Sequence, residues 1–127
     1  MTRLTTLLIS TSLFALSASA AEITPVFSID LPDIPGKTGE VLEVSYAPGE
    51  SSDAHRHDAN TFVYVLEGTV VMAVKGGEEQ TLSVGETFYE RPDDIHTVSR
   101  NASDTEPAKV LVFFVKNTGA PATRAAE

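Results

Sequence analysis

The chain of 127 residues is long enough for one domain, and its 9 Lys and Arg against 18 Asp and Glu give a formal net charge of −9. An acidic surface repels phosphate backbones and anionic lipid, so this balance argues against nucleic-acid binding. The absence of cysteine excludes disulfides, thiolate metal sites and thiol catalysis.

The first 20 residues have the features of a secretory signal peptide. A positive start over 1–3 precedes a mostly apolar stretch over 4–18, and the small-x-small sequence at 18–20 suits signal peptidase. The apolar core of about a dozen residues is short of the roughly 20 needed to span a bilayer, which disfavours the alternative of an uncleaved anchor. We expect a cleavable leader over 1–20 and a periplasmic or secreted protein with no membrane attachment afterwards.

The remaining chain is punctuated as short strands and tight turns. Prolines and glycines in residues 21–40 predict an extended entry segment rather than a helix. Between 41 and 116, short apolar and β-branched runs end at Gly, Pro or polar turns, and their spacing of about eight strands is typical of an all-β sandwich or barrel. Residues 117–127 are small and polar, which predicts a flexible C-terminal tail.

The only three histidines carry the candidate chemistry. His55 and His57 are two residues apart, so on an extended strand both imidazoles point to one face. His96 follows a turn at the start of a later strand. Neutral imidazole is the commonest metal ligand near neutral pH, and three of them leave positions open for water, substrate or dioxygen. Taken alone, an HxH pair is more often a pair of surface or core histidines.

The residues around these histidines favour the metal interpretation. The first group follows the pattern G-x5-H-x-H-x10-G, at Gly49, His55, His57 and Gly68. A second group follows later in the chain, at Gly85, Pro92, His96 and Asn101. This pattern resembles the two motifs of the cupin superfamily, G-x5-H-x-H-x3,4-E-x6-G and G-x5-P-x-G-x2-H-x3-N, over about residues 41–116. It looks similar to small type-2, quercetin-dioxygenase-like members. The resemblance implies a double-stranded β-helix (jelly-roll) barrel with a single internal metal ion, here held by the three histidines.

The sequence departs from the family pattern at the fourth ligand. Thr61 stands where the family has glutamate, and the second motif is one residue short between Pro92 and His96. Three outcomes follow: the three histidines hold the metal alone, another carboxylate substitutes, or the site has lost the metal and kept a binding pocket. Asp53 lies two residues before His55, so on an extended strand it would point to the same face as both histidines, which makes it one candidate carboxylate.

An all-histidine site would leave a divalent cation its full charge, which favours an anionic ligand such as an enolate or carboxylate. Without thiolates the ion can be Fe, Mn, Ni, Co or Zn, and the sequence does not choose among them. The resemblance to quercetin-dioxygenase-like cupins implies a small-molecule oxidoreductase, dioxygenase-like, and the charge of the site suits an enol-like or otherwise anionic substrate. The alternatives are a non-catalytic periplasmic module that binds a small molecule or metal, and a metal-dependent lyase or isomerase.

Several other residues have a structural and a functional interpretation. The stripe of Phe62, Tyr64 and Leu66 is typical of barrel core. The alternative is that Tyr64, Phe88 and Tyr89 line a substrate pocket, together with Thr61. No residue stands out as a general base, and Glu90 and Asp53 are the candidates. Phe113 and Phe114 are consecutive, so one should face outward, where we expect a homodimer contact.

Overall fold

The computed structural model describes residues 20–127, and its regular structure is all β-strand. The leader predicted over 1–20 lies, apart from Ala20, outside the described residues. Within the described range, no helix has the length and apolar character needed to cross a membrane.

Two antiparallel sheets of five strands each make up the described part of the chain. The strands are β1 (Glu22–Asp30), β2 (Lys37–Tyr46), β3 (His55–Arg56), β4 (Asn60–Glu67), β5 (Thr69–Val74), β6 (Gln80–Ser83), β7 (Thr87–Glu90), β8 (His96–Asn101), β9 (Ala108–Asn117) and β10 (Arg124–Ala125). The first sheet has the order β1-β2-β9-β4-β7, and the second has the order β10-β3-β8-β5-β6. The all-β, jelly-roll type of fold expected from the sequence is therefore confirmed.

The core lies between the sheets and is filled mainly by aliphatic side chains. Alternate residues of β9 and β4 point inward, so Val110, Val112 and Phe114 pack against Val63 and Val65. Strand β5 contributes further buried apolar residues from the opposite sheet. This packing closes most of the interior and leaves an open cavity at the end where the histidines lie.

Strand β4 corrects the expectation that Phe62, Tyr64 and Leu66 form the core. All three lie on the outer face, where Phe62 is 46% and Tyr64 45% exposed. Both alternating sets of β4 are apolar, so periodicity alone could not decide which set faces inward. The interior takes the smaller Val63 and Val65, and the aromatic side chains cover the outside of the sheet.

Gly68 shows why one glycine of the first motif is needed. Its φ of +69° lies in the left-handed region, where residues other than glycine are destabilised by steric clash of the Cβ atom. A Cβ at this position would also lie 2.4 Å from the carbonyl oxygen of Pro107. The tight passage from β4 into β5 therefore depends on the missing side chain, and it brings these strands into different sheets.

Candidate metal centre

Strand pairing brings the three histidines to one place. His55 in β3 lies directly opposite His96, the first residue of β8, in the antiparallel register. His57 follows two residues later and points into the same cavity. The ring of His55 lies 4.8 Å from that of His57 and 4.9 Å from that of His96, between centroids. One nitrogen from each ring falls within 4.8 Å of the others, so the three residues could bind one metal ion.

Backbone carbonyls orient two of the three rings. Nδ1 of His55 donates to the carbonyl of Asp53 at 2.7 Å, and Nδ1 of His57 donates to the carbonyl of Ala122 at 2.8 Å. A carbonyl oxygen only accepts, so each Nδ1 carries the proton and each Nε2 keeps its lone pair. Both histidines are thus held in the tautomer that leaves Nε2 able to ligate.

The segment predicted as a flexible tail takes part in this site. In the structure β10 pairs with β3, with Arg124 opposite Arg56 and Ala125 opposite His55. Both arginines contact the carboxylate of Asp58, Arg56 at 2.9 Å. These contacts fix the Ala122 carbonyl beside His57, so the tail orients a candidate ligand instead of hanging free.

A cavity of about 380 Å³ opens beside the histidines, which is the size range of small-molecule sites. Its apolar walls include Leu42, Val44, Val63, Met72, Val112 and Phe114. A polar pair lies in the wall, where the Tyr46 hydroxyl is 2.6 Å from Oγ of Ser99. Burial raises the pKa of Tyr46, so its phenol stays protonated and can donate. No Lys or Arg is among the described residues that line this cavity.

Glu90 is buried beside two of the histidines, His57 and His96. Its carboxylate oxygens lie 3.2 Å from Nδ1 of His96 and 3.8 Å from Nε2 of His57, and its side chain is 2% exposed. Burial raises the pKa of Glu90 to about 8, and the nearby charge of Asp94 acts in the same direction. Burial lowers the pKa of His57 to about 4 and that of His96 to about 3. Both imidazoles are therefore neutral at pH 7, the form in which histidine binds metals.

The other candidate residues take different places. Asp53 lines the cavity, but its side chain is exposed at the opening. Thr61 is fully buried in β4, and its hydroxyl donates to the Ala59 carbonyl at 3.3 Å. Phe88 belongs to the core and stacks on His96 at 5.8 Å. The suggestion that Tyr64 and Tyr89 line the site is wrong, because both lie on the outer face of the first sheet.

Sequence reasoning missed two features of the site. Tyr46 and Ser99 were not predicted as site residues. Leu42 and Tyr46 are four residues apart on β2 and so point to the same face, which could have placed Tyr46 inward. The carbonyl of Ala122 carried no sequence signal, because any residue supplies a carbonyl. The part played by the tail in orienting His57 therefore had to come from the structure.

The side chains present fit a divalent metal ion. Both nitrogens of His96 and both carboxylate oxygens of Glu90 are buried without a hydrogen-bond partner among the described residues. Buried polar atoms of native proteins are normally paired, so such a cluster needs a further partner. A bound cation would provide this partner, because imidazole nitrogen and carboxylate oxygen can bind the same ion. Neutral imidazoles with one carboxylate suit Fe, Mn, Co, Ni or Zn.

The two antiparallel sheets and the cluster of histidines in the cavity define a small β-barrel protein with three histidines that could hold a metal ion. The family model described as Cupin domain matches residues 42–114. The chain therefore belongs to the cupin family.

Solved structures agree with the fold. A conserved protein of Klebsiella pneumoniae with a double-stranded β-helix domain is 17% identical, with a TM-score of 0.68 over 89% of this chain and 90% of that chain. The DMSP lyase DddQ of Ruegeria pomeroyi is 17% identical, with a TM-score of 0.62 over 69% of this chain and 43% of that chain. An oxalate oxidase in complex with glycolate is 22% identical, with a TM-score of 0.63 over 87% of this chain and 57% of that chain.

These similarities are informative about architecture. The chain spans less than half of the DMSP lyase and little more than half of the oxalate oxidase that it matches. A search of curated proteins found no match to the chain.

Proposed function

We propose that this chain is an exported metal-dependent enzyme that acts on a small anionic molecule, of the oxidoreductase class and dioxygenase-like. The observation that carries the proposal is the convergence of three histidine nitrogens within 4.8 Å beside a cavity of about 380 Å³. A bound divalent ion would supply Lewis-acid activation of a substrate oxygen and, for iron or manganese, electron exchange with dioxygen.

The cavity walls support an anionic substrate with an apolar body. Aliphatic residues and Phe114 would exclude water and pack against the body of the substrate. Tyr46 and Ser99 share one hydrogen bond, so whichever hydroxyl accepts it can donate its own proton to a substrate oxygen. No described lining residue is Lys or Arg, so the charge of an anion would be balanced at the histidine cluster. The oxalate oxidase of similar fold was solved with glycolate, a small carboxylate, which agrees with this class.

A metal-dependent lyase or isomerase is the second candidate. The protonated phenol of Tyr46, paired with Ser99, favours it because the phenol can donate a proton to a carbanion or a leaving group. The similarity of fold to a DMSP lyase is compatible with this candidate but does not rank it above the first.

One experiment separates the candidates. Purified protein is analysed for metal, loaded with Fe(II) or Mn(II), and incubated with enols, catechols and small carboxylates, with and without dioxygen. Turnover that consumes dioxygen supports the oxidoreductase, and turnover without dioxygen supports the lyase or isomerase. Bound metal with no turnover across the panel indicates a binding module, and absence of metal after loading overturns the proposal.

We also propose that the protein is periplasmic or secreted. The support is the leader pattern over residues 1–20, with its small-x-small sequence at 18–20. Mature protein recovered from a host that exports it should begin at Ala21 or Glu22 by N-terminal sequencing. Recovery of intact Met1 would contradict this expectation.

The outer face of the first sheet supports a homodimer. An aromatic patch consists of Phe62, Tyr64, Tyr89 and Phe113, with ring centroids 5.2 Å apart for Phe62–Tyr89 and 5.9 Å for Phe62–Phe113. Within residues 20–127, no charged side chain lines the shallow depression around this patch. In a chain with a net charge of −9, such a face is where two copies can meet without repulsion.

Phe62→Glu should convert the dimer to a monomer, because a symmetric contact would bury the new charge twice. Light scattering after gel filtration measures the mass. Ile34→Glu changes an exposed apolar residue outside the patch and should leave the dimer intact. A wild-type monomer at all concentrations, or a dimeric Phe62→Glu, would disprove the contact.

A further inference from the structure

We propose that Glu90 is the carboxylate ligand of this metal centre, supplied from β7 in place of the glutamate that the family carries on β4. The inference rests on the proposed metal-dependent function and deepens it, because it assigns a fourth ligand to the three histidines. It also decides among the alternatives that Thr61 leaves open: the site keeps a carboxylate, and that carboxylate comes from the neighbouring strand.

Strand register is the first support. Thr61 of β4 lies directly opposite Glu90 of β7. Side chains at facing positions of an antiparallel pair point to the same side of the sheet, with Cβ atoms about 4.5–5.5 Å apart. A glutamate at either position therefore extends into the same part of the interior. A carboxylate supplied from β7 instead of β4 therefore comes from a different strand but reaches the same part of the cavity.

The surroundings of the carboxylate are the second support. Both oxygens of Glu90 are buried and have no hydrogen-bond partner among the described residues, and the same holds for both nitrogens of His96. A structural glutamate in a barrel interior would be expected to accept hydrogen bonds from backbone or side-chain donors. Here the groups that it faces are imidazoles.

Distances are the third support. Two atoms that bind one ion at about 2.0–2.2 Å, in tetrahedral or octahedral geometry, lie about 3 to 3.6 Å apart. The separation of Glu90 Oε1 from His96 Nδ1 is 3.2 Å, and that of Oε2 from His57 Nε2 is 3.8 Å. The first falls in this range and the second exceeds it by a small margin. Asp53, the carboxylate favoured by sequence parity, is instead exposed at the cavity opening.

A carboxylate ligand changes the charge of the centre. Three neutral histidines and one carboxylate leave a divalent ion with a net charge of +1, whereas three histidines alone leave +2. The site would still attract an anion, but less strongly. It would also accept harder ions, because carboxylate oxygen suits manganese better than an all-imidazole set does.

Metal preference provides the test, with Mn(II) and Ni(II) as probes. Glu90→Gln should weaken Mn(II) binding by at least about tenfold more than Ni(II) binding, because it removes the oxygen ligand and keeps the imidazoles. Titration against a competing chelator measures both affinities. The melting temperature without metal should not fall, since a neutral amide replaces a buried carboxyl. Glu78→Gln makes the same chemical change at an exposed glutamate that does not line the cavity, and it should leave both affinities nearly unchanged.

The exchange Thr61→Glu with Glu90→Thr restores one carboxylate in the same space and should recover Mn(II) binding. If Glu90 only positioned His96, Glu90→Gln would weaken Mn(II) and Ni(II) binding equally, and the exchange would recover neither. Equal losses, or no loss, overturn the assignment of Glu90 and leave the proposed function standing. A wild-type protein that binds neither ion overturns the proposed function itself.

Discussion

His57→Ala is expected to abolish stoichiometric metal binding while leaving both sheets folded. The imidazole offers Nε2 to the cavity, and its Nδ1 is occupied by the carbonyl of Ala122. No further imidazole can replace it, because the chain has only three histidines and the other two are candidate ligands themselves. Removing a ligand should cost more than the 10- to 100-fold that is typical of losing an outer-shell partner, so we expect a loss of at least about 100-fold.

The folded state should tolerate this change. The ring of His57 packs on Phe114 at 4.8 Å, but it borders a cavity that already exists. Burial lowers the pKa of His57, so the ring is uncharged in the metal-free protein and its removal breaks no ion pair that stabilises the fold. The β-sheet circular dichroism of the variant should therefore match that of the wild type.

Thermal unfolding makes the difference measurable. A ligand at 100 times its dissociation constant stabilises the folded state by about 2.7 kcal/mol, which for a domain of this size raises Tm by about 10 °C or more. Wild-type protein should show this shift with Zn(II) or Mn(II), and the variant should show none at the same concentration. Added imidazole, which fits the vacated space, should partly restore binding. A variant that still titrates one metal per chain would show that His57 is not a ligand.

The sequence was sufficient to predict the architecture and the position of the histidines. Residues at i and i+2 of an extended segment share a face, so the spacing of His55 and His57 alone predicts that their rings lie together. Turn glycines such as Gly49, Gly68 and Gly85 all have positive φ and mark strand ends, as their spacing suggested. The inferences about the histidine pair and the turns succeeded because they depend on local backbone geometry alone, whereas the barrel architecture was inferred from the resemblance to the cupin motifs.

The rest of the site depends on contacts between distant segments. Nothing local distinguishes Glu90 from the other acidic residues, and its importance comes from facing Thr61 across a strand pair. The choice between the two apolar faces of β4 likewise depends on what β9 and the opposite sheet leave room for. A short β3 of two residues is stable only because β8 and β10 flank it. Tertiary pairing of this kind leaves no periodic trace in the sequence.

The C-terminal segment leads to the second large effect that we expect. Deleting residues 121–127 should weaken metal binding by about 10- to 100-fold, the usual cost of losing an outer-shell partner of a ligating histidine. The deletion removes the Ala122 carbonyl that accepts from Nδ1 of His57, the Thr123 hydroxyl 3.2 Å from the same nitrogen, and strand β10. The ring can then rotate and adopt the other tautomer, so Nε2 is no longer held toward the cavity.

Deletion of residues 126–127 alone is the matched control, because it shortens the chain but keeps β10 and the Ala122 carbonyl. Metal affinity by chelator competition should match wild type for the short deletion and fall for the long one. Circular dichroism should be alike in both, since β10 adds only two residues at the edge of its sheet. Equal affinities for the two deletions would mean that His57 is oriented without the tail, by its packing on Phe114. A drop with the long deletion alone would show that a backbone carbonyl from the last residues of the chain sets the geometry of a ligand 65 residues earlier.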